Sequence, residues 1–344
     1  MEDGGLLVLS GNEVSSLLAG RESELIDLVG RAYVAHRSGA RSLPHSTFLR
    51  FPHDERNRII ALPAYLGDGF GVAGMKWIAS FPANVERSME RASAVLILNS
   101  CETGRPEAIL ESSVISARRT AASAALAARA LLEGAVPERV GLIGTGVINL
   151  EVARFLRAAM PGTSRFLLYD LDPGRARRFA ETLRETLGSG IETELAGRDE
   201  VLATCPLISF ATTAIRPHVE DLSGCRPGAV ILHLSLRDLA PEVILTCDNV
   251  VDDPDHVCRA QTSLHLAEQA TGGRGFIRCT LADILQGTEP PRRDGRIAVF
   301  SPFGLGVLDI AVGQRIADLA RTTGLGTHIR SFLPAAPAGS GDSR

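Results

Sequence analysis

The sequence predicts an α/β protein in which a doubly wound parallel sheet is combined with a smaller α+β domain. Three observations support this fold class. From residue 140 onward, short apolar segments alternate with helical segments, which is the pattern of a parallel sheet covered on both faces. The first third instead contains two amphipathic helical segments and then a series of strand-like segments. The chain has 344 residues, which is long enough for two domains.

The first third begins with helices and continues with strands. Residues 10–38 have the spacing of two amphipathic helices, and Ser10 or Asn12 is a suitable cap for the first. Residues 102–105, Glu-Thr-Gly-Arg, are typical of a hairpin turn. The strands predicted in this part are 47–51, 59–65, 72–78, 94–99 and 107–111.

The rest of the chain begins with an alanine-rich segment, 116–132, that favours a helix. Near the end, an apolar segment from Ala298 leads into a helix over 307–321. The strands predicted between them are 140–143, 165–169, 207–211, 229–234 and 249–252. The predicted domains are 1–116 with 304–332, which is α+β, and 117–303, which holds the parallel sheet; residues 333–344, rich in Pro, Ala, Gly and Ser, are expected to be disordered.

A glycine-rich turn follows the first strand of the parallel sheet. The strand runs into Gly144 and Gly146, a helix opens there, and the next strand ends on Asp170, about 24 residues beyond Gly146. Glycines at such a turn let backbone N–H groups approach a pyrophosphate, and an acid roughly 20 residues on bonds a ribose. Asn149 stands where the motif usually has its third glycine. The combination predicts a Rossmann-type dinucleotide-binding domain.

The identity of the dinucleotide follows from the acid. A carboxylate at Asp170 accepts bonds from a ribose hydroxyl and repels a 2′-phosphate, so NAD is favoured over NADP. Arginines 175, 177 and 178 keep NADP open as an alternative. The pyrophosphate is expected to meet the backbone of Thr145, Val147 and Ile148.

Composition excludes several function classes. A hydrophobic fraction of 45% with a net charge of −4 indicates a buried core and argues against a nucleic-acid-binding protein. No apolar run approaches the ~20 residues of a membrane span, and the acidic start lacks a signal-peptide pattern, so a cytoplasmic protein is expected. The six cysteines lack paired spacing, and Cys247, His256 and Cys258 fit no common zinc site, so no metal is expected.

Three polar residues stand out among apolar segments. Lys76 lies within an otherwise apolar strand, although such a lysine is often an edge residue whose amine reaches water. Arg119 lies near the start of the alanine-rich helix, where the dipole disfavours a cation unless an anion binds there. Asp238 follows a strand at its carboxyl end, where α/β sheets carry their ligands, but it also suits the cap of a helix beginning near Pro241.

These residues and their surroundings resemble the ornithine cyclodeaminase/μ-crystallin family over nearly the whole chain. The residues that carry the likeness are Lys76, the Glu102-Thr103-Gly104 turn, Arg119 to Ala122, the Gly144 and Gly146 loop, and Phe303-Gly304 before Asp309. Within the family, segments 76–82, 91–99, 233–238 and 300–306 resemble the 2,3-diaminopropionate biosynthesis branch.

The resemblance implies NAD-dependent oxidative hydrolysis of N-(2-amino-2-carboxyethyl)-L-glutamate to L-2,3-diaminopropionate and 2-oxoglutarate. In such pathways a pyridoxal-phosphate-dependent enzyme supplies the substrate, and the product enters siderophores or peptide antibiotics. The α+β domain would then bind substrate and form a homodimer. Two alternatives stay open: ornithine cyclodeaminase or another amino-acid or imine dehydrogenase of the family, and a non-catalytic protein that binds nicotinamide or another small ligand.

The resemblance also implies roles for individual residues. Asp238 matches the catalytic aspartate, which takes the amine proton, and Lys76 assists it. Lys76 and Arg119 match substrate-binding cations, and Arg119 also lies near the nicotinamide. An earlier family arginine is not clearly matched, and the chain offers His45 and Arg50 in its place. Further cofactor contacts are implied for Arg91, Thr212, Thr213, Ser235 and Ser301, whereas His256 either lines the site or packs beside it.

Overall fold

The computed structural model describes residues 5–87, 89–292 and 295–334, so the predicted disordered tail lies outside the described residues from 335 onward. The strands are β1 (Leu6–Leu9), β2 (Arg41–Ser42), β3 (Thr47–Phe51), β4 (Asp54–Leu66), β5 (Val72–Ser80), β6 (Ala92–Asn99), β7 (Pro106–Glu111), β8 (Val140–Ile143), β9 (Arg165–Tyr169), β10 (Glu192–Leu195), β11 (Leu207–Phe210), β12 (Val230–His233), β13 (Asp248–Val251), β14 (Ile277–Thr280), β15 (Ala298–Ser301) and β16 (Thr327–Ile329). The helices are α1 (Gly11–Leu17), α2 (Glu22–Ser38), α3 (Ser113–Leu131), α4 (Val147–Ala159), α5 (Pro173–Leu187), α6 (Arg198–Thr204), α7 (Pro241–Thr246), α8 (Pro254–Val257), α9 (Ser263–Thr271), α10 (Leu281–Gln286) and α11 (Gly306–Thr323).

Packing divides the chain into two units. The mixed-sheet unit comprises Met1–Ala19, Arg41–Ile115 and Asp309–Arg344, and the parallel-sheet unit comprises Gly20–Ala40 and Ser116–Leu308. The predicted division differs because it placed residues 20–40 with the first domain and set the last boundary at 304. Helix α2 joins the parallel-sheet unit through buried polar contacts: Tyr33 Oη donates to Ser123 Oγ at 3.0 Å, and His36 Nε2 lies 2.9 Å from Asp253 Oδ2.

Among the described residues, the strands of the parallel-sheet unit follow the order β10-β9-β8-β11-β12-β15-β13-β14. Every neighbouring pair is parallel, and strands β8, β11, β12, β13 and β15 are buried along their full length. Burial on both faces explains why these strands are continuous apolar runs in the sequence. The predicted α/β fold class with a doubly wound parallel sheet is confirmed.

The mixed-sheet unit has strands in the order β16-β1-β7-β6-β5-β4-β2, with β3 also paired to β4. Strand β5 is an interior strand, antiparallel to both β4 and β6. Helix α11 packs on this sheet, and Gly313 allows the close approach, because a Cβ atom there would overlap with Leu96 Cδ2. The interpretation of Lys76 as an edge residue is therefore wrong, since Lys76 lies on β5 between Leu62 and Leu96.

Other sequence-based expectations concern local features. Ser10, and not Asn12, caps α1 in a capping box with Glu13. Among the described residues, no helix has the length and apolar character needed to cross a membrane. In the same part of the chain, no group of three or more His, Cys, Asp or Glu residues is placed to hold a metal ion. Cys101 is exposed and the other five cysteines are buried.

Candidate active site

The glycine turn after β8 has the backbone geometry of a nucleotide-binding loop. Gly144 has a φ of +88°, and a Cβ atom there would lie 2.6 Å from the carbonyl oxygen of Ala211. Its amide donates to the carbonyl oxygen of Tyr169 at 2.8 Å, which ties the loop to β9. Position 144 therefore requires glycine for both its conformation and its close packing.

Gly146 forms the opening of helix α4. It has an extended backbone, no side chain caps the helix, and a Cβ atom at this position would meet nothing within 4 Å. No side chain therefore caps the first turn, which is the positive end of a helix of 13 residues. Val147 in this turn is largely exposed. This cradle fits the pyrophosphate of a dinucleotide.

Asn149, which replaces the third glycine of the motif, holds the turn together. Its buried amide nitrogen lies 2.7 Å from the carbonyl oxygen of Gly144 and 3.1 Å from that of Ile143. The hydroxyl of Ser209 on β11 donates to Asn149 Oδ1 at 2.7 Å. The side chain therefore links β8, the turn and β11, a role that the motif alone did not indicate.

Asp170 follows β9 and faces the same turn. One carboxylate oxygen accepts hydrogen bonds from Thr145 N at 2.8 Å and Thr145 Oγ1 at 2.7 Å, and the other accepts from Asp172 N at 3.0 Å. Burial opposes ionisation, but these bonds outweigh it and hold the pKa of Asp170 below its ordinary value. A fixed carboxylate beside the glycine turn is suited to accept bonds from ribose hydroxyls.

Asp238 is the centre of a second polar cluster, in the loop after β12. Its side chain is 0% exposed. Thr212 Oγ1 donates to Oδ1 at 2.5 Å, Ser235 Oγ donates to Oδ2, and His218 Nε2 lies 3.2 Å from Oδ1. Burial favours the neutral acid, but contacts from His233, Ser235 and Thr212 favour the carboxylate more, so the pKa of Asp238 lies well below its ordinary value.

The second cluster extends to Ser301 through His233. The amide of Asp238 donates to His233 Nε2 at 3.2 Å, and His233 Nδ1 lies 3.2 Å from Ser301 Oγ. The alternative role of Asp238 as a helix cap is wrong, because Ala240 is the N-cap of α7 and no side chain caps that helix. Thr213 is exposed and is not among the side chains that contact Asp238.

Arg119 lies on α3 with its side chain buried against a glycine. A Cβ atom at Gly304, where φ is +91°, would lie 2.6 Å from Arg119 Nη1. Asp252 fixes this glycine by accepting a bond from its amide at 2.8 Å. Burial raises the pKa of Asp252, although the backbone N–H donors oppose that shift. The Gly304 turn therefore provides the space that the guanidinium occupies.

The mixed-sheet unit carries the other predicted cations. Lys76 Nζ lies 2.8 Å from Asp309 Oδ2, and their side chains are 2% and 0% exposed. Arg91 Nη1 donates to Ser80 Oγ at 3.1 Å, and burial lowers the pKa of Arg91. In the sheet register, Ser80 is directly opposite Arg58, a residue that no motif in the sequence indicated.

Two predicted substrate residues lie on β3 or just before it. Arg50 is exposed on β3, opposite Arg58, and its guanidinium lies 5.3 Å from the centre of the Phe48 ring. His45 is exposed in the segment between β2 and β3. Arg50, Arg58 and Ser80 thus follow one another across β3, β4 and β5, with Arg91 bonded to Ser80. Pairing register was the missing signal, because it is not evident from spacing along the chain.

His256 packs inside the parallel-sheet unit. Its ring centre lies 6.5 Å from that of Phe303, and Nδ1 lies 3.2 Å from Asp253 Oδ1. His36 approaches the other oxygen of Asp253 at 2.9 Å. Burial opposes ionisation of Asp253, but the two imidazoles hold its pKa well below the ordinary value.

Comparison with known proteins places this geometry in context. The chain is 27% identical over 342 residues to N-((2S)-2-amino-2-carboxyethyl)-L-glutamate dehydrogenase of Staphylococcus aureus, covering 95% of this chain and 99% of the relative. The crystal structure of CmnK superimposes with a TM-score of 0.86 at 27% identity, covering 96% of this chain and 100% of that one. Delta(1)-pyrroline-2-carboxylate reductase of Thermococcus litoralis, solved with NADH and L-proline, superimposes with a TM-score of 0.85 at 26% identity, covering 93% and 99%.

The family model of the ornithine cyclodeaminase/mu-crystallin family matches residues 7–324. That span includes the whole parallel sheet and the mixed sheet apart from Leu6 and β16. It also includes the glycine turn, Asp238 and the Lys76–Asp309 pair. The resemblance inferred from the sequence is confirmed, and this chain belongs to the ornithine cyclodeaminase/mu-crystallin family.

Proposed function

We propose that this protein is an NAD-dependent dehydrogenase that cleaves N-(2-amino-2-carboxyethyl)-L-glutamate to L-2,3-diaminopropionate and 2-oxoglutarate. The observation that carries the proposal is the buried, ionised carboxylate of Asp238. It lies in the loop after β12, and β12 belongs to the same parallel sheet as β8, the strand that leads into the glycine turn. An anion there can hold and deprotonate an amine, which amine oxidation requires and simple nucleotide binding does not. The relative from S. aureus, similar over nearly its whole length, supports this substrate.

The residues around the glycine turn fit NAD. The open first turn of α4 would hold the pyrophosphate, and Asp170 would accept bonds from the adenosine ribose. Asp170 would repel a 2′-phosphate, which favours NAD over NADP. Bound NAD+ supplies the hydride acceptor. The nicotinamide half of NAD is proposed to lie beside the Asp238 cluster, next to Thr212, Ser235 and Ser301.

The cations are proposed to hold the substrate, which has three carboxylates. Arg119 is fixed by the Gly304 turn, and its planar guanidinium suits a carboxylate. In the other unit, Arg91 is half-buried, and among the described residues no carboxylate lies within 4 Å of its guanidinium. Arg91, which the resemblance implied as a cofactor contact, is assigned here with Arg50 and Arg58 to a second carboxylate of the substrate. Lys76 and His45 keep their proposed roles in binding the substrate.

The protein groups then have separate tasks in the reaction. Asp238 accepts one proton from the substrate ammonium, which frees the nitrogen lone pair for imine formation as the hydride leaves Cα. Water adds to the imine carbon, the C–N bond breaks, and the nitrogen leaves with the diaminopropionate. The overall reaction consumes one water and one NAD+ and releases one NADH and one proton. The reaction that supplies the substrate must join glutamate nitrogen to a three-carbon amino acid, as a pyridoxal-phosphate-dependent synthase does.

A homodimer is proposed to form through the exposed face of the mixed sheet. Trp77 and Val95 are opposite one another on β5 and β6, and each is 39% exposed. Tyr65 on β4 is 40% exposed in the same sheet. Large apolar side chains grouped on one sheet face are typical of an interface. One similar structure is described as an alanine dehydrogenase dimer, with a TM-score of 0.81.

A direct assay tests the proposal. The purified protein is mixed with NAD+ and synthetic N-(2-amino-2-carboxyethyl)-L-glutamate, and nicotinamide absorbance is followed while products are identified by mass. We expect NADH, 2-oxoglutarate and L-2,3-diaminopropionate in equal amounts. Absence of NADH with this substrate, from protein that still binds NAD, would reject it.

A second candidate is reduction of a cyclic imino acid. It is favoured by the similarity to the T. litoralis reductase, whose structure contains NADH and L-proline. The assay discriminates the two when NADH and Δ1-pyrroline-2-carboxylate are supplied, because reduction consumes NADH. Ornithine cyclodeamination would instead release ammonia from L-ornithine without net NADH formation.

A further inference from the structure

We propose that His218 carries protons between the buried carboxylate of Asp238 and solvent during amine oxidation. The inference rests on the proposed function, because it concerns the proton that the amine must lose. His218 would be a positioning and proton-transfer partner of Asp238 rather than a residue that contacts the substrate.

The contacts of Asp238 single out His218. Its Nε2 lies 3.2 Å from Oδ1, and the His218 side chain is 38% exposed whereas that of Asp238 is 0% exposed. The other imidazole near the carboxylate, His233, is also 0% exposed. Among the described contacts of this carboxylate, His218 therefore combines a titratable ring with ready access to water.

The backbone holds His218 in place independently of its ring. The amides of His218 and Val219 both donate to the carbonyl oxygen of Asp238 at 2.9 Å. Arg198 on α6 also donates to the carbonyl oxygen of His218, at 3.4 Å. Two donors on one carbonyl fix the loop to the Asp238 segment, so a substitution at position 218 changes the ring and keeps the loop.

The chemistry of the pair explains why a second group is useful. Asp238 is strongly stabilised as an anion, so it orients and attracts an ammonium well but retains an accepted proton poorly. An imidazole ordinarily exchanges protons near neutral pH and has two nitrogens. One proton passes from Oδ1 to Nε2 while one leaves from Nδ1 to water, so that the charge of each group is restored at the end of the transfer.

The charged surroundings of His218 come from several elements. Asp238 faces the ring from the loop after β12, and the Arg198 guanidinium lies at the backbone carbonyl. Arg216 and Glu220 are the charged neighbours on its own segment. Of these groups, Asp238 contacts the ring, so the proton is proposed to reach His218 from that carboxylate.

The first test is chemical rescue of turnover. We expect His218→Ala to lower kcat at least ~10-fold with little change in KM, and free imidazole to restore it several-fold. His218→Gln, which occupies the space without titrating, should be equally slow but insensitive to imidazole. His53→Gln, at an exposed histidine in the β3–β4 turn, serves as the matched control and should behave as wild type.

The second test needs no turnover. In histidine-selective nitrogen NMR, Asp238→Asn should move the His218 ring resonances and leave those of His53 in place. Unchanged His218 resonances, or a slow His218→Ala protein that imidazole does not accelerate, would overturn the relay. Rescue is measured with whichever amine the wild type oxidises, so rejecting the aminocarboxyethyl-glutamate substrate would not decide the relay.

Discussion

The ammonium of Lys76 lies 2.8 Å from a carboxylate oxygen of Asp309, and both side chains are almost completely withdrawn from solvent. The pair joins interior strand β5 to helix α11 in the mixed-sheet unit. Removing a lysine charge from water is costly, and a hydrogen-bonded carboxylate offsets that cost. Asp309 thus fixes the position of a lysine that the proposed mechanism places against the substrate.

Breaking this pair should destabilise the protein strongly. We expect Asp309→Leu to lower the free energy of unfolding by about 3–5 kcal/mol, because it leaves a buried ammonium without its carboxylate. Urea unfolding of the purified protein measures the change. The double variant Lys76→Met with Asp309→Leu is the control, and it should be more stable than Asp309→Leu alone. If the double variant is no more stable than Asp309→Leu alone, the lysine and the carboxylate are not energetically coupled.

The two glycines of the nucleotide turn should respond differently to alanine. Gly144→Ala forces a side chain into a φ of +88° and against Ala211, so we expect a stability loss of at least ~1 kcal/mol.

The methyl group of Gly146→Ala would meet open space, and the backbone there is already extended, so the stability of this variant should be close to that of wild type. The added methyl group would instead enter the proposed pyrophosphate position, and the Kd for NAD should rise at least ~10-fold. Unfolding curves and NAD titrations measure both effects, and equal NAD affinity in Gly146→Ala and wild type would contradict the proposed cradle.

Much of the parallel-sheet unit follows from periodicity. The predicted limits of β8 and β9 agree with the structure, because apolar runs between turn residues mark strands that are buried on both faces. Strand β10 was not predicted. Its sequence, Glu-Thr-Glu-Leu, is polar because it lies at the edge of the sheet. Residues 20–40 were predicted with the first domain, whereas packing groups them with the parallel-sheet unit, since a helical pattern does not reveal which sheet a helix covers.

The candidate site was less predictable than the fold. Motif spacing indicated Gly144, Gly146 and Asp170, because those residues are close in sequence to the turn they form. Spacing did not indicate Asn149 as a link between strands, the contact of His218 with Asp238, or Arg58 opposite Ser80. Each of these depends on strands or loops that are brought together only by the register of the sheet.

The exposed face of the mixed sheet should control assembly. We expect Trp77→Lys combined with Val95→Lys to shift a homodimer toward monomer, because two charges would be buried at the proposed interface. Light scattering after size exclusion measures the mass. Val136→Lys, at another exposed apolar residue, is the matched control and should not change the oligomeric state. A double variant with the mass of wild type would reject this face as the interface.

Loss of the Asp238 charge should abolish most turnover while leaving the cofactor site intact. We expect Asp238→Asn to reduce kcat by about 10²-fold or more, because a carboxamide does not accept the amine proton. The Kd for NAD should change far less than kcat, because the pyrophosphate and the adenosine ribose are proposed to bind at the glycine turn and Asp170 rather than at the Asp238 cluster. Asp221→Asn, at an exposed aspartate, is the control for aspartate replacement. Turnover within a few fold of wild type would exclude Asp238 as the base.

Acid should destabilise the folded protein partly through Asp238. Burial favours its neutral form, but contacts with His233, Ser235 and Thr212 hold its folded pKa well below the unfolded value of about 3.9. A lowered folded pKa means that this carboxylate contributes its full stability above the unfolded pKa and loses it as the pH falls through the folded pKa.

We therefore expect the free energy of unfolding of wild type to fall from about pH 5 downward, with a shallower fall in Asp238→Asn. Urea unfolding across this range measures both slopes. Because Asp253 titrates in the same direction, the variant should retain part of the acid sensitivity, and identical slopes would show that the Asp238 contacts do not favour the carboxylate.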